Sequence, residues 1–308
     1  MMSPHTGAHD EALRRPQARA YDRMDVGHAT GDDNGKPAVG VIGIGQVGRS
    51  VCDLLAAHVR LVTWDRADGE PYPDAELAGC DFAIVCVDTP GRAEGRADVS
   101  SVAQATARLP CEQVLLKSTV PPGTTRRLAA TTGKSICYWP EYIGESRYHN
   151  PVFPSRIEDV PFVVLGGEPA IRRWFIDRLL PVLGPTKTYF QCDAIEAELI
   201  KYVENAYFAT KIAFVNEFRR ICDTFAADWH TVREGWLLDP RVERMHTAAF
   251  DDDPGFGGKC LPKDLAAIVT AADDVGYAAT LLSEVMATNA RLRGVQAHGQ
   301  MDDDGVRS

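Results

Sequence analysis

The feature that most constrains the fold of this 308-residue chain is an apolar strand followed by a glycine-rich hexapeptide and then by a helical pattern. The apolar run covers residues 38–42 and the helical pattern residues 50–56, and between them stand Gly43, Ile44, Gly45, Gln46, Val47 and Gly48. Glycines at this spacing permit a tight turn and let a pyrophosphate approach the helix N-terminus, where free N–H groups and the helix dipole favour anions. The segment therefore predicts a dinucleotide-binding unit at the start of an α/β domain.

A second predicted strand, residues 59–64, ends at Asp65, which lies 20 residues after Gly45. A carboxylate at this position accepts hydrogen bonds from the adenosine ribose and repels the 2′-phosphate of NADP, so it favours NAD. The alternative is a strand-end aspartate in an α/β domain that binds no phosphate.

Further apolar runs predict strands at residues 81–87, 113–117, 135–139, 162–166 and 188–190, with helices at residues 99–108 and 169–183. This alternation is typical of an α/β fold, and we predict a Rossmann-like doubly wound parallel sheet. Ligands of such sheets bind beyond the carboxyl ends of the strands. Four polar residues fall at those ends: Thr89, Thr119, Glu141 and Glu145.

The remainder of the chain is predicted to be mainly helical. Its longest helix covers residues 194–227, with Asp193 as the N-cap, and would be about 50 Å long at ~1.5 Å per residue. Lys201 and Asn205 lie four residues apart on one face of this helix, where they are either solvated or functional.

A loop within this helical part places a thiol, an amine and a carboxylate within five residues, namely Cys260, Lys263 and Asp264. Three glycines precede the cysteine and let backbone come close to a ligand. Because Lys263 favours the thiolate, which is the reactive form, the pattern predicts a nucleophilic cysteine. The alternative is a glycine-rich loop with a buried structural cysteine.

Charge and cysteine content exclude several classes of function. The net charge of −10 argues against nucleic-acid and anionic-membrane partners. No apolar run approaches the ~20 residues of a membrane span, and the first 36 residues lack a signal-peptide pattern. Eight scattered cysteines without a C-x-x-C pair predict reduced thiols in the cytoplasm and no metal site.

At this point the chain resembles the UDP-glucose/GDP-mannose dehydrogenase family over roughly residues 38–297. Six ordered motifs carry the resemblance, at residues 43–48, 87–90, 117–124, 140–145, 198–205 and 255–264. We expect a disordered extension at residues 1–36, an NAD-binding Rossmann-like domain at residues 37–192, a helical dimerisation domain with the cysteine loop at residues 193–298, and a flexible tail at residues 299–308.

The resemblance implies that a primary alcohol is oxidised to a carboxylate in two NAD-linked hydride transfers. Cys260 would form a thiohemiacetal and then a thioester, which water hydrolyses. Lys201 and Asn205 would stabilise the oxyanion, Asp264 and Thr119 would position a water or proton acceptor, and Glu141 would be the base for hydrolysis.

The same resemblance implies the binding residues and a homodimer through the helix at residues 194–227. For NAD they are the glycine hexapeptide with Asp65, Thr89, Ser118, Thr119, Glu145 and Lys263. For the small-molecule substrate they are Glu141, Glu145, Lys201, Asn205, Phe256 and Gly257.

The chain also departs from the family pattern. It ends where a C-terminal nucleotide-sugar-binding domain would begin, the segment between Asp65 and Asp81 is shorter than usual, and Gly144 replaces an arginine. Three aspartates, residues 251–253, precede the cysteine loop and would repel a diphosphate, so we expect a smaller or differently charged primary alcohol. Two alternatives stay open: a two-electron β-hydroxyacid-type dehydrogenase that does not need Cys260, and a non-catalytic NAD-binding protein.

Overall fold

The computed structural model describes residues 35–143 and 154–294, and within them the chain forms a seven-stranded sheet. The predicted tail, Glu145 and nearly all of the predicted N-terminal extension lie outside the described residues. The strands are β1 (Ala38–Ile42), β2 (Arg60–Trp64), β3 (Phe82–Val85), β4 (Gln113–Leu116), β5 (Ser135–Tyr138), β6 (Phe162–Gly166) and β7 (Thr188–Cys192).

The sheet has the strand order β2-β1-β3-β4-β5-β6-β7, and β1 to β5 are all parallel. The order reverses between β2 and β3, on either side of β1, which is where doubly wound sheets bind their ligands. The glycine hexapeptide follows β1 at this reversal. The carboxyl ends of β1 to β5 therefore share the edge on which the polar residues were predicted to meet.

The predicted doubly wound parallel sheet is confirmed, with one antiparallel pair. β6 pairs antiparallel with β5, through Tyr138 and Gly166, and β7 then runs parallel to β6. Two adjacent parallel strands need a crossover connection, usually a helix. The described residues between β5 and β6 include the 3-10 turn Ile157–Asp159.

The helices are α1 (Gln46–Leu55), α2 (Asp74–Ala78), α3 (Ser100–Arg108), α4 (Thr124–Thr132), α5 (Pro169–Leu183), α6 (Ala194–Thr224), α7 (Trp229–Trp236), α8 (Leu261–Asp274) and α9 (Thr280–Leu292). Alternate strand residues pack on α1 and α5 on one face of the sheet, and on α2, α3, α4 and the start of α6 on the other. Both faces are thus buried, as doubly wound sheets require.

Helix α6 begins at the predicted N-cap. The Asp193 side chain accepts from Ile195 N, and Glu196 reaches back to the Asp193 N–H, which forms a capping box. Further along, α8 and α9 pack on α6 around Ala209, Phe256 and Leu265. This packing brings the loop before α8 against the middle of α6.

Candidate active site

The glycine hexapeptide forms a tight turn with an open outer side. A Cβ on Gly43, which has φ 91°, would lie 2.8 Å from the Val87 nitrogen, and one on Gly48 would lie 1.9 Å from the Gly43 oxygen. A Cβ on Gly45 would meet no atom within 4 Å, and Gly45 and Gln46 are exposed. The first and third glycines are therefore required by packing, whereas the second leaves room beside the N-terminus of α1. This geometry fits a pyrophosphate.

Asp65 lies at the carboxyl end of β2 and holds this turn in place. Its Oδ2 accepts from Ile44 N at 2.6 Å, and its Oδ1 accepts from Ala67 N at 2.8 Å. Each carboxylate oxygen can accept a second hydrogen bond, so the pair of oxygens can still bind ribose hydroxyls.

The polar residues after β3 and β4 are joined to one another and to α8. Ser118 Oγ donates to Val87 O at 2.7 Å, and Thr89 Oγ1 donates to Thr119 O at 2.8 Å. Lys263 Nζ donates to Thr89 Oγ1 at 3.0 Å. The lysine of the cysteine loop therefore reaches the sheet edge at which the cofactor-binding residues were predicted.

Cys260 stands at the N-terminus of α8 and is exposed, whereas the other seven cysteines are buried. Burial raises the pKa of six of the buried thiols, to about 12 for Cys52 and to about 11 for Cys80 and Cys192. A thiol at the positive end of a helix, beside a lysine, is in a setting that favours the thiolate.

Asp264 is the link between Cys260 and α6. Its backbone N–H donates to Cys260 O at 2.9 Å in the first turn of α8, so the two side chains share a face of the helix. Its Oδ2 accepts from Asn205 Nδ2 at 2.6 Å, and its Oδ1 lies 2.8 Å from Lys263 Nζ. The structure thus brings the predicted Asn205, Cys260, Lys263 and Asp264 together.

Lys201, one turn before Asn205, is also buried and paired. Its Nζ lies 3.0 Å from Glu204 Oε2 and 5.0 Å from the centre of the Tyr142 ring. Glu204 is therefore the ion-pair partner of Lys201. Both predicted oxyanion donors, Lys201 and Asn205, lie against carboxylates, and a substrate oxygen would share or replace those contacts.

Glu141 follows β5, is buried, and pairs with Lys117, a residue to which the sequence analysis assigned no role. Its Oε2 lies 2.8 Å from Lys117 Nζ, and its Oε1 accepts from the backbone N–H groups of Tyr142 and Ile143. Lys117 belongs to the motif that supplied Ser118 and Thr119. Its position directly after a buried strand was the available signal.

The backbone around Phe256 is clamped by two buried asparagines. Asn289 of α9 accepts from Phe256 N at 2.7 Å and donates to Phe256 O at 2.9 Å, and Asn216 of α6 accepts from Gly255 N at 3.1 Å. A Cβ on Gly257 would lie 3.1 Å from the Arg293 guanidinium. The sequence analysis did not identify Asn289. The feature that could have indicated it is a polar residue on the apolar face of the last helix.

Asp251 and Asp253, which precede the loop, each pair with an arginine. Asp251 pairs with Arg219, and Asp253 Oδ1 lies 2.8 Å from Arg293 Nη1. The expected repulsion of a diphosphate is thus offset by two arginines. Beside the loop, a cavity of about 170 Å³ has Arg219 and Arg220 in its lining.

The described residues show neither a membrane-spanning helix nor a metal-binding cluster. Within residues 35–143 and 154–294 no helix is both long and apolar enough to cross a membrane. The same ranges contain no group of three or more His, Cys, Asp or Glu side chains placed to hold a metal ion.

Comparison with known proteins adds the family. Residues 195–291 match the model of the UDP-glucose/GDP-mannose dehydrogenase family, central domain. A UDP-glucose 6-dehydrogenase of Bacillus subtilis is 31% identical over 247 residues, which are 74% of this chain and 54% of that protein. The chain therefore spans about half the length of this curated relative.

Solved structures share the fold. A UDP-glucose dehydrogenase from Pyrobaculum islandicum superposes with a TM-score of 0.70 at 24% identity, covering 83% of this chain and 68% of that one. A 3-hydroxyisobutyrate dehydrogenase from Mycobacterium tuberculosis gives 0.61 at 16% identity, covering 83% and 93%. At these identities the likeness concerns the fold alone. The sequence motifs, the matched central domain and the Bacillus relative together distinguish between these neighbours: the chain belongs to the UDP-glucose/GDP-mannose dehydrogenase family.

Proposed function

We propose that this protein is an NAD-dependent dehydrogenase that oxidises the primary alcohol of a sugar or nucleotide sugar to a carboxylate. The observation that carries the proposal is the exposed Cys260 on the same helix face as the buried Asp264. Asp264 is bound to Asn205 and to Lys263, and Lys263 reaches Thr89 at the sheet edge. These contacts support one site that would contain Cys260 as the nucleophile, the Asp264 carboxylate, the Asn205 amide and the cofactor-binding edge of the sheet.

The glycine turn and Asp65 would hold NAD, with the ribose at the Asp65 carboxylate, and Thr89, Ser118 and Thr119 would line its path. Bound NAD would accept a hydride in each oxidation. Asp65 carries a negative charge where NADP has a phosphate, so NAD is the expected cofactor. Glu145 stays a predicted ligand of both cofactor and substrate.

Lys201 and Asn205 would donate hydrogen bonds to the oxygen on the reacting carbon, because both are held on α6 in a largely buried setting. Asp264 would accept a proton, directly or through a water that Thr119 helps to position. Phe256 and Gly257 would contribute loop backbone to the substrate site.

The second half of the reaction would be covalent. The Cys260 thiolate adds to the aldehyde carbon and gives a thiohemiacetal, and loss of a second hydride leaves a thioester. A water oxygen then bonds to the carbonyl carbon while the C–S bond breaks and Glu141 takes the proton of the water. Cys260 leaves as the thiolate and the product as a carboxylic acid, which loses its remaining proton to solvent.

A homodimer through α6 is part of the proposal. Apolar side chains stand exposed at helical spacing along this helix, at Val203, Tyr207, Phe214, Phe218 and Phe225. Phe214 and Phe218 lie with their ring centres 4.7 Å apart. An exposed apolar surface of this kind typically marks a protein interface. We place the protein in the cytoplasm, where buried thiols stay reduced.

A coupled screen of primary alcohols tests the activity. NADH release is followed with UDP-glucose, GDP-mannose and free sugars and alcohols, and product mass distinguishes aldehyde from acid. We expect two NADH per substrate and an acid product. In Cys260→Ala, acid formation should be lost.

The alternatives predict other results. One NADH per substrate with an unchanged Cys260→Ala variant would indicate a two-electron β-hydroxyacid-type dehydrogenase. Binding of NAD without oxidation of any alcohol would indicate a non-catalytic NAD-binding protein. Free alcohols turning over better than nucleotide sugars would support the smaller substrate predicted from residues 251–253.

A further inference from the structure

Lys117 is a buried cation at the carboxyl end of β4 to which none of the roles above is assigned. Only 2% of the residue is exposed. Leu116 of β4 pairs with Tyr138 of β5 in the parallel ladder. Lys117 therefore lies beside the segment after β5 that carries Glu141.

Three groups of this segment lie against the Lys117 ammonium. Nζ lies 2.8 Å from Glu141 Oε2, 3.4 Å from Pro140 O and 3.9 Å from the centre of the Trp139 ring. A carboxylate, a carbonyl and an aromatic face are each favourable partners for an ammonium. The lysine thus recognises the backbone and side chains of residues 139–141 at once.

The Glu141 carboxylate is fixed from its other side as well. Oε1 accepts from Tyr142 N at 2.7 Å and from Ile143 N at 2.5 Å. A carboxylate offers about four acceptor positions, and three are used by these contacts and by Lys117. The side chain therefore cannot rotate without breaking several hydrogen bonds.

We propose that Lys117 is the positioning residue for the hydrolytic half of the reaction, holding the Glu141 carboxylate in place while making no contact with substrate. This inference rests on the proposed function. A general base must be held within hydrogen-bond reach of the proton it accepts, and Lys117 supplies one of the three contacts that fix this carboxylate. During hydrolysis the C–O bond to water forms, the C–S bond to Cys260 breaks, and the water proton passes to the carboxylate that Lys117 holds.

Lys117→Met should slow thioester hydrolysis more than the hydride transfers. We expect a burst of NADH followed by acid formation about 10- to 100-fold slower than in the wild type, and an acyl adduct on Cys260 detectable by mass. Because the steps up to the thioester are unaffected, kcat and the substrate KM should fall together and kcat/KM should change little. Lys117→Arg keeps the charge and should recover part of the rate. A wild-type steady-state rate without a burst in Lys117→Met would overturn the proposal.

Lys134→Met is the matched control. Lys134 is a half-buried lysine directly before β5, whereas Glu141 follows the other end of that strand. Its Nζ donates to Leu109 O and Cys111 O. Its loss should lower stability without producing a burst. A burst in this variant too would show that the kinetic effect is a general loss of order, against the proposal.

A double-mutant cycle keeps the test independent of the dehydrogenase activity. Lys117→Met should have a smaller effect in a Glu141→Gln protein than in the wild type, both on the rate of acid formation and on the unfolding midpoint. Additive shifts of the midpoint would contradict the pairing even if no alcohol were oxidised. A wild type that oxidises no alcohol would instead contradict the proposed function, while the stability cycle would still decide whether Lys117 holds Glu141.

Discussion

The amide nitrogen of Asn205 lies 2.6 Å from a carboxylate oxygen of Asp264, and both side chains are buried. Asp264→Asn keeps an oxygen for Asn205 but removes the charge that faces Lys263. We expect the rate of NADH release to fall about 100-fold, since proton transfer by a positioned group contributes about 10²–10⁴-fold.

The comparison with Asp264→Ala checks this interpretation. Both variants lose the ion pair with Lys263, but only the alanine variant leaves the buried amide of Asn205 without an acceptor. That loss destabilises by about 1–3 kcal/mol, so the alanine variant should lose more stability to urea than the asparagine variant. An Asp264→Asn protein with wild-type turnover would contradict a role for the charge.

Asp65→Asn should weaken the preference for NAD over NADP. The asparagine can still accept from Ile44 N, so the glycine turn keeps its hydrogen bond, while the negative charge that repels a 2′-phosphate is gone. We expect the ratio of the NAD and NADP dissociation constants to move towards NADP by about tenfold or more. Fluorescence titration measures it, and an unchanged ratio would argue against a ribose contact at Asp65.

Asn289→Ala should loosen the cysteine loop from α9. It leaves the buried N–H and C=O of Phe256 without their partner, and each such loss destabilises by about 1–3 kcal/mol. Turnover should fall while NAD affinity stays, because the glycine turn is untouched. Asn289→Asp retains an acceptor for Phe256 N and should be intermediate, whereas equal losses in both variants would show that the donor to Phe256 O is the decisive contact.

Glu198 predicts a pH dependence of stability. This buried residue of α6 accepts from Gly123 N at 2.5 Å, and from Thr125 N and Oγ1 at 2.7 Å each. Burial raises the pKa of Glu198 from 4.5 to about 6, against the lowering by these hydrogen bonds. The folded chain therefore holds the proton more tightly than the unfolded chain, and this favours folding below pH 4.5.

That contribution is lost as pH rises from 4.5 to about 6, and amounts to roughly 2 kcal/mol at about 1.4 kcal/mol per pKa unit. Glu198→Gln should lack it. Urea unfolding of both proteins from pH 4 to 7 gives the difference in the free energy of unfolding, which should change in this window. A constant difference would mean that Glu198 titrates alike in both states.

Phe218→Glu should dissociate the proposed dimer. Phe218 lies on the exposed apolar face of α6 beside Phe214, and a buried, unpaired carboxylate there would oppose association. Light scattering after gel filtration should change from dimer to monomer mass. Phe190→Glu, at a half-exposed site on β7, is the control and should stay dimeric; a dimeric Phe218→Glu protein would place the interface elsewhere.

Much of the fold could be predicted because its signals are local. All seven strands start within one residue of the predicted positions, while β3 ends two residues earlier and β7 two residues later than predicted. Asp193 caps α6 as predicted. Apolar runs and capping residues act through neighbours in sequence, so the sequence displays them directly.

What the sequence did not reveal depends on long-range contacts. The antiparallel pairing of β6 with β5 joins residues far apart in sequence, and the buried Lys117 has its partner, Glu141, in the segment after the neighbouring strand. Glu204 and Asn289 likewise gain their meaning from a lysine and a loop that folding brings to them. The sequence around a charged or amide residue does not indicate which distant group will be its hydrogen-bond or ion-pair partner.

The distribution of the cysteines has a practical consequence. Because seven are buried and Cys260 is exposed, one equivalent of an alkylating reagent should label one position in the native chain. The mass of the labelled protein would then count the chains that carry a reactive thiol. Rates could be expressed per reactive site, so a variant that is slow would be distinguishable from a preparation that is partly oxidised.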